Sequence, residues 1–262
     1  MREDKQQSDK VDMSSKFKQI AQSTARRLGY EVVPSWRFGS LEFSTLLTEL
    51  FSRYSINCVF DVGANTGQYV HFLCQFVGYT GRVISFEPVS HCYESLSKKA
   101  ESDQMWETYQ FALGSENSRQ KINVMKSDQF SSFLQPSHEH IAGLQHLNEV
   151  DHVEEITVRT LDEVWSEMKI DGTNEAIYLK LDTQGFDMQV IAGASKSLKN
   201  IYALQTEVSV LNIYKGMPSV EDVIPHMRML EFDLVGMFPV NVDQNLRVIE
   251  YDAVFINRNR MK

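Results

Sequence analysis

Cysteine is scarce: Cys58, Cys74 and Cys92 are three in 262 residues, too few and too scattered for a disulfide framework. They form neither a Cys-x-x-Cys pair nor a zinc spacing and stand in or near apolar segments, so buried thiols in a reducing compartment are expected. Long apolar runs are missing as well. Nothing approaches the ~18 residues of a membrane-spanning helix, and the charged stretch MREDKQQSDK does not read as a secretory leader. A cytoplasmic location away from membranes is expected. Positive charge is in deficit, with 26 basic against 35 acidic side chains and a formal net charge of −9. Such a surface repels polyanions, which disfavours nucleic acid as a partner. Internal repeats and low-complexity tracts are also absent.

What is present suits a packed interior: 42% of residues are hydrophobic and 23% charged, as in an ordinary globular chain. Residues 1–12 are charged and read as a tail. Phe17, Ile20, Ala21 and Leu28 recur at helical spacing, and Leu46, Leu47, Leu50 and Phe51 mark one face of a stronger helix over residues 41–54. Residues 1–54 are therefore read as a tail and helical extension, with the main domain at 55–262.

From Ile56 short apolar runs alternate with helical segments: INCVFDV, RVISFE, ETYQFAL, AIYLKLD and IYALQTEV. This alternation predicts an α/β fold with a mostly parallel sheet and helices on both faces. An insertion at about 115–160 carries two further strand-like runs, KINVMK and EEITVRTL, around an irregular Ser-, His- and Gln-containing stretch. Long connections of this kind are usually functional, so a lid or substrate-facing elaboration is expected. Near the end, Ser219 and Asp222 approach a capping box for a helix that Pro225 is expected to kink. FDLVGMFPV and NLRVIEYDAVFIN then read as a hairpin turning around residues 241–245, which places one antiparallel strand on the sheet.

Ligands of open α/β sheets sit at the carboxyl ends of the strands, and four runs end in a polar signal there. In Asp61-Val62-Gly63-Ala64-Asn65-Thr66-Gly67 the glycines permit a tight turn, and Thr66 is placed to cap the following helix. The loop lacks the dinucleotide pattern G-x-G-x-x-G, a Gly-Lys-Ser/Thr and any basic residue, so it suits a nucleoside without a pyrophosphate; a plain strand-to-helix turn is the alternative. Glu87, held extended by Pro88, lies twenty residues after Gly67, where an acid meets ribose hydroxyls in nucleoside-binding units. FALG, residues 111–114, ends the third run with small and apolar residues. Lys180 and Asp182, and Glu207 in the next run, are charges in strands buried on both faces, so each needs a partner. A purely structural ion pair of Lys180 with Asp182 or Glu207 satisfies the same need.

Together DVGANTG, FEP, ALG and LKLDTQGFDMQVIAGA resemble the class I S-adenosylmethionine-dependent methyltransferases and, more narrowly, the FkbM family; TLDE at 160–163 and Ser131-Ser132 look like family features too. The resemblance spans about Cys58 to Asn257. It implies a Rossmann-like, seven-stranded sheet of order 3-2-1-4-5-7-6 with the last strand antiparallel. It implies S-adenosylmethionine held by Asp61, Gly63, Ala64, Asn65 and Gly67 at its methionine half, Glu87 and Pro88 at the ribose, and Ala112 and Leu113 at the adenine, with Asp182 near the amino group or the reacting centre. Many relatives carry an acid where Gln184 stands. The acceptors implied are hydroxyl groups of sugars, polyketides and similar metabolites.

An alcohol needs a base or a metal to become a nucleophile. Asp182 and Glu207, beside Lys180, are the expected catalytic set; a divalent metal is the less favoured alternative. His138, His140, His146 and His152 crowd the insertion, more in the manner of loop surface than of a base. Replacing Gly63 with a bulky residue is expected to abolish cofactor binding and spare the fold. Two other readings compete: a nicotinamide-dependent oxidoreductase, disfavoured by the missing second glycine, and a binding module that keeps the fold without turnover. A homo-oligomer remains open.

Overall fold

The computed structural model describes residues 23–25, 27–30, 32–137, 149–168, 170 and 175–261. The tail and the apolar positions Phe17, Ile20 and Ala21 lie outside the described residues, as do His138, His140 and His146. Two compact units are distinguished, Met1–Glu42 and Phe43–Lys262. In the first, residues 23–25 and 27 are helical and a 3-10 turn covers Ser35–Ser40 after the extended Pro34.

The second unit opens within helix α1 (Leu41–Tyr54). Leu47, Leu50 and Phe51 fall at i, i+3 and i+4 and bury against Ile56, Val59, Tyr178 and Val254. The unit begins at Phe43 instead of at residue 55 because this stripe has its partners in the main sheet.

Strand β1 (Cys58–Val62) leads through the glycine loop into a short helix, α2 (Gln68–Phe72), extended by a π turn over Leu73–Val77. There follow β2 (Arg82–Phe86), α3 (Ser90–Ala100), β3 (Trp106–Tyr109), β4 (Ala112–Leu113), β5 (Ser118–Met125), β6 (Val150–Arg159) and α4 (Leu161–Glu167). The chain continues through β7 (Ile177–Leu181), α5 (Asp187–Ala192), β8 (Ile201–Ser209), α6 (Val220–Met229), β9 (Phe232–Val242) and β10 (Val248–Asn257).

Seven strands form one sheet in the order β3-β2-β1-β7-β8-β10-β9, with β10 antiparallel to both neighbours. Numbered within that sheet, the order is 3-2-1-4-5-7-6, as the family resemblance implies. Every residue of β1 and of β7 is buried, which follows from helices covering both faces of the sheet centre. The chain thus has the Rossmann-like class I methyltransferase fold.

Two expectations need correction. ETYQFAL is not one strand: β3 lies beside β2, while Ala112 and Leu113 pair with Val158 and Arg159 in a second sheet, β4-β6-β5. Phe111 marks the break by packing on Phe86 and Tyr109, with ring centroids 5.5 and 5.9 Å away. Cys74 is exposed, not buried, whereas Cys58 and Cys92 are buried. The capping box of Ser219 and Asp222 is formed, and α6 runs without interruption through Pro225. The TLDE segment also has a local explanation. Thr160 caps α4 by accepting from the Glu163 amide at 3.3 Å, while Asp162 accepts from the Lys196 and Ser197 amides at 3.0 and 2.8 Å, tying the turn after α5 to the start of α4. Among the described residues no helix is long and apolar enough to cross a membrane.

Candidate functional site

A cavity of about 420 Å³ opens at the carboxyl ends of β1, β2, β7 and β8, a volume typical of small-molecule sites. The insertion contributes Phe130, Ser131 and Phe133 to it, and the final hairpin Asn241, Glu250 and Asp252.

One end is made by the loop after β1. Gly63 (φ +76°) and Ala64 donate their amides to the Phe86 carbonyl at 3.0 and 3.1 Å, which seats the loop on the end of β2. A Cβ on Gly63 would lie 1.9 Å from the Asp182 carbonyl oxygen. The glycine is thus required by the neighbouring backbone, and a bulky replacement is now expected to damage the fold as well as the site. Thr66 does not cap α2. Gly67 occupies that position at φ +86°, and Asn65 Oδ1 accepts the Thr66 amide at 2.7 Å.

Glu87 is 5% exposed, and its carboxylate accepts from the Asn65 amide at 2.7 Å and the Val89 amide at 2.8 Å. Burial raises its pKa to about 7 in spite of those two bonds, which favour the charged form. Each oxygen retains a lone pair for a further donor. Pro88, Ala112 and Leu113 line the same end.

The middle is organised by Lys180. Its Nζ lies 3.1 Å from Asp61 Oδ1 and 3.2 Å from Asp182 Oδ2, donates to the Gly63 carbonyl at 3.3 Å, and stands 5.2 Å from the Tyr69 ring centre. Burial favours loss of its proton, but Asp182 and Asp61 outweigh burial and raise the pKa, so the ammonium persists. Lys180 therefore pairs with Asp61 and Asp182, and Glu207 is held differently. Gln184 donates through Nε2 to both Asp182 Oδ1 (3.1 Å) and Glu207 Oε2 (2.9 Å). At φ +51°, Gln184 is itself fixed by Ser132, whose hydroxyl donates to its carbonyl at 2.8 Å, and by Tyr214, whose hydroxyl lies 3.0 Å from its Oε1. The Gln184 amide thus bridges two carboxylates.

Asp187, the last residue of LKLDTQGFD, works from behind. Its buried carboxylate accepts from the Thr183 amide and hydroxyl, from the Thr206 hydroxyl at 2.5 Å and from the Glu207 amide at 3.2 Å. Burial, followed by the charges of Asp182, Glu250, Asp252 and Asp187, drives the pKa of Glu207 well above the usual carboxylate range.

The cavity wall includes Gly63, Ala64, Asn65, Glu87, Pro88, Ala112, Leu113, Lys180, Asp182 and Glu207. Asp61 and Gly67 do not line it. Asp61 is buried behind Lys180, and Gly67 packs so closely on Trp106 that a Cβ would meet its ring at 2.6 Å. His152 lies away from the cavity on the exposed face of β6, bonded to Asp151 and Glu154 at 2.8 and 3.1 Å. Tyr69, Gln205, Glu250 and Asp252 were not foreseen from the sequence. Gln205 accepts from Tyr69 at 2.7 Å and from Tyr178 at 3.0 Å, and donates to Asp252 at 2.8 Å. The alternation IEYDAVF in a strand bound for a buried sheet was the available signal. Among the described residues no group of three or more His, Cys, Asp or Glu side chains is placed to hold a metal ion.

The family model described as "Methyltransferase FkbM domain" matches residues 61–234. No curated protein matches the sequence. Among solved structures, methyltransferase FkbM from Methylobacillus flagellatus KT aligns at 14% identity and a TM-score of 0.48, over 76% of this chain and 43% of that one. This chain therefore spans less than half the length of that protein. Aeropyrum pernix fibrillarin, solved with natively bound S-adenosyl-L-methionine, aligns at 8% identity and a TM-score of 0.43, over 82% of this chain and 74% of that one. A SAM-dependent methyltransferase from Aquifex aeolicus aligns at 13% identity and a TM-score of 0.40, over 90% and 98%.

Proposed function

The chain belongs to the FkbM methyltransferase domain family, and on that premise we propose that it uses S-adenosylmethionine to methylate a hydroxyl group of a small molecule, a sugar or a related metabolite. The observation that carries the reading is Glu87. Two backbone amides present its carboxylate to the cavity with a lone pair left on each oxygen, which suits a ribose diol. The donor set around it fits the rest of the cofactor. The side-chain-free Gly63 allows close approach, Ala112 and Leu113 offer apolar flanks to a base, and Asp182 is an acceptor for an ammonium group. Asp61 and Gly67 contribute indirectly, by fixing Lys180 and by closing the loop on Trp106.

The cofactor, when bound, supplies an already activated methyl group on a sulfonium. What remains for the chain is to align a hydroxyl and remove its proton. Glu207 is suited to accept that proton, because burial among other carboxylates raises its proton affinity above that of an ordinary carboxylate. Lys180 keeps its own proton and acts by positioning Asp182 and the Gly63 carbonyl.

Titration calorimetry with S-adenosylhomocysteine and NAD tests the reading against the oxidoreductase alternative. Binding of the thioether and not of NAD is expected; the reverse result would overturn the proposal.

A further inference from the structure

The cavity is unbalanced in charge. Among the described residues that line it are five carboxylates, Glu87, Asp182, Glu207, Glu250 and Asp252, and one cation, Lys180. Lys180 is spent on Asp61 and Asp182. If Glu87 and Asp182 serve the cofactor, three carboxylates remain at the far end. Two of them are forced together by sheet register. Asp252 of β10 stands directly opposite Glu207 of β8, a like-charged cross-strand pair of the kind that destabilises a sheet. Glu250 lies two residues from Asp252, on the same strand face, and is 3% exposed.

Their partners are neutral amides. Asn241 donates to Glu250 at 2.7 Å and Gln205 donates to Asp252 at 2.8 Å. These bonds orient the carboxylates without neutralising them. Burial first, and neighbouring Asp182 next, raise Glu250 to about 7 and Asp252 to about 6 in spite of those bonds. A metal ion is a poor complement, because these groups are not gathered into a coordination sphere. Aromatic rings also line the cavity. Tyr69, joined to Asp252 through Gln205, continues into Phe72 and Phe43, with ring centres 5.9 and then 5.3 Å apart. Carboxylates beside aromatic faces form a site for an organic cation.

We propose that the acceptor end of the cavity recognises a protonated amine through Glu250 and Asp252, so that the hydroxyl compound methylated is an amino alcohol or amino sugar. The inference rests on the methyltransferase reading and narrows its substrate class. An amine held as ammonium has no free lone pair, so it serves as a handle and leaves the hydroxyl as the nucleophile.

The test uses the protein saturated with S-adenosylhomocysteine and two matched pairs of probes, 2-aminocyclohexanol with cyclohexane-1,2-diol and glucosamine with glucose. Binding is followed by calorimetry or ligand-observed NMR. In at least one pair the amine should bind about tenfold more tightly than its neutral partner or better. The preference should vanish in the double variant Glu250→Gln, Asp252→Asn, whose amides preserve the oxygens accepting from Asn241 and Gln205. That variant should retain its affinity for S-adenosylhomocysteine, and its melting temperature reports that it folds. Equal binding of the two partners in both pairs, binding of no probe, or a preference that survives the double variant would overturn the proposal. Failure of S-adenosylhomocysteine itself to bind the wild type would sink the underlying reading instead, and it is measured first.

Discussion

At the β1–β2 end of the cavity the backbone makes the site: the amides of Gly63, Ala64, Asn65 and Val89 set the loop and one carboxylate, Glu87. At the β8–β10 end side chains make it: Gln184 and Gln205 orient carboxylates from other segments, and Asn241 orients Glu250 across the final hairpin. A backbone-built end needs particular residues at fixed spacing, since few sequences adopt its φ values or tolerate its close approaches. A side-chain-built end needs only compatible pairs, and these can be exchanged. The difference predicts that substitutions at the first end threaten the fold or the cofactor, while those at the second change chemistry and selectivity.

Three experiments would break or sharpen that contrast. The largest effect is expected from Gly63→Val, which places a branched side chain on the Asp182 carbonyl at a positive φ. A loss of about 3 kcal/mol of stability or more is expected, read as a collapse of soluble yield or melting temperature; a wild-type melt would show that the backbone gives way easily. Next is Glu207→Gln at the opposite end. Turnover should fall about 10²- to 10⁴-fold, the usual worth of a general base, with affinity for S-adenosylhomocysteine and melting temperature preserved. Full turnover in this variant and in Asp182→Asn would assign the proton to another group. The smallest is Glu87→Gln, expected to weaken S-adenosylhomocysteine binding about tenfold to a hundredfold, the worth of hydrogen bonds to a charged acceptor. The same residue gives a pH signature. Its pKa is raised to about 7, so the carboxylate gains a proton as pH falls through that value and loses acceptor capacity. Wild-type affinity should therefore decline from pH 8 to pH 6, and the Gln variant should show a flat profile.

The same contrast explains what could be read in the sequence. Gly63, Glu87 and the mostly parallel sheet were legible because tight turns and buried parallel strands leave local marks: glycines at a strand end, a proline after an acid, and runs without polar alternation; the strand order itself was implied by the family resemblance. Glu250 and Asp252 were not, since alternate acids in NLRVIEYDAVFIN read equally as the solvent face of an edge hairpin. What turns that face into a cavity wall is the placement of β10 between β8 and β9, a long-range fact. The role of Gln184 was hidden for a similar reason, because its two carboxylate partners lie in different segments, Asp182 just past β7 and Glu207 in β8. Helix α1 was assigned to an extension because its stripe of Leu47, Leu50 and Phe51 does not say which surface it covers.

Asp187 suggests how such a site can change over time. Its carboxylate joins the Thr183 segment to the Thr206-Glu207 segment through bonds to two hydroxyls and two amides, and only one of these donors, the Glu207 amide, belongs to a far-end carboxylate residue. The spacing between the two strand ends is thereby independent of the side chain carried at position 207. Positions 250 and 252 can therefore be exchanged while the frame beneath them and the carboxylate at 207 stay in place, which separates the choice of acceptor from the hold on the methyl donor.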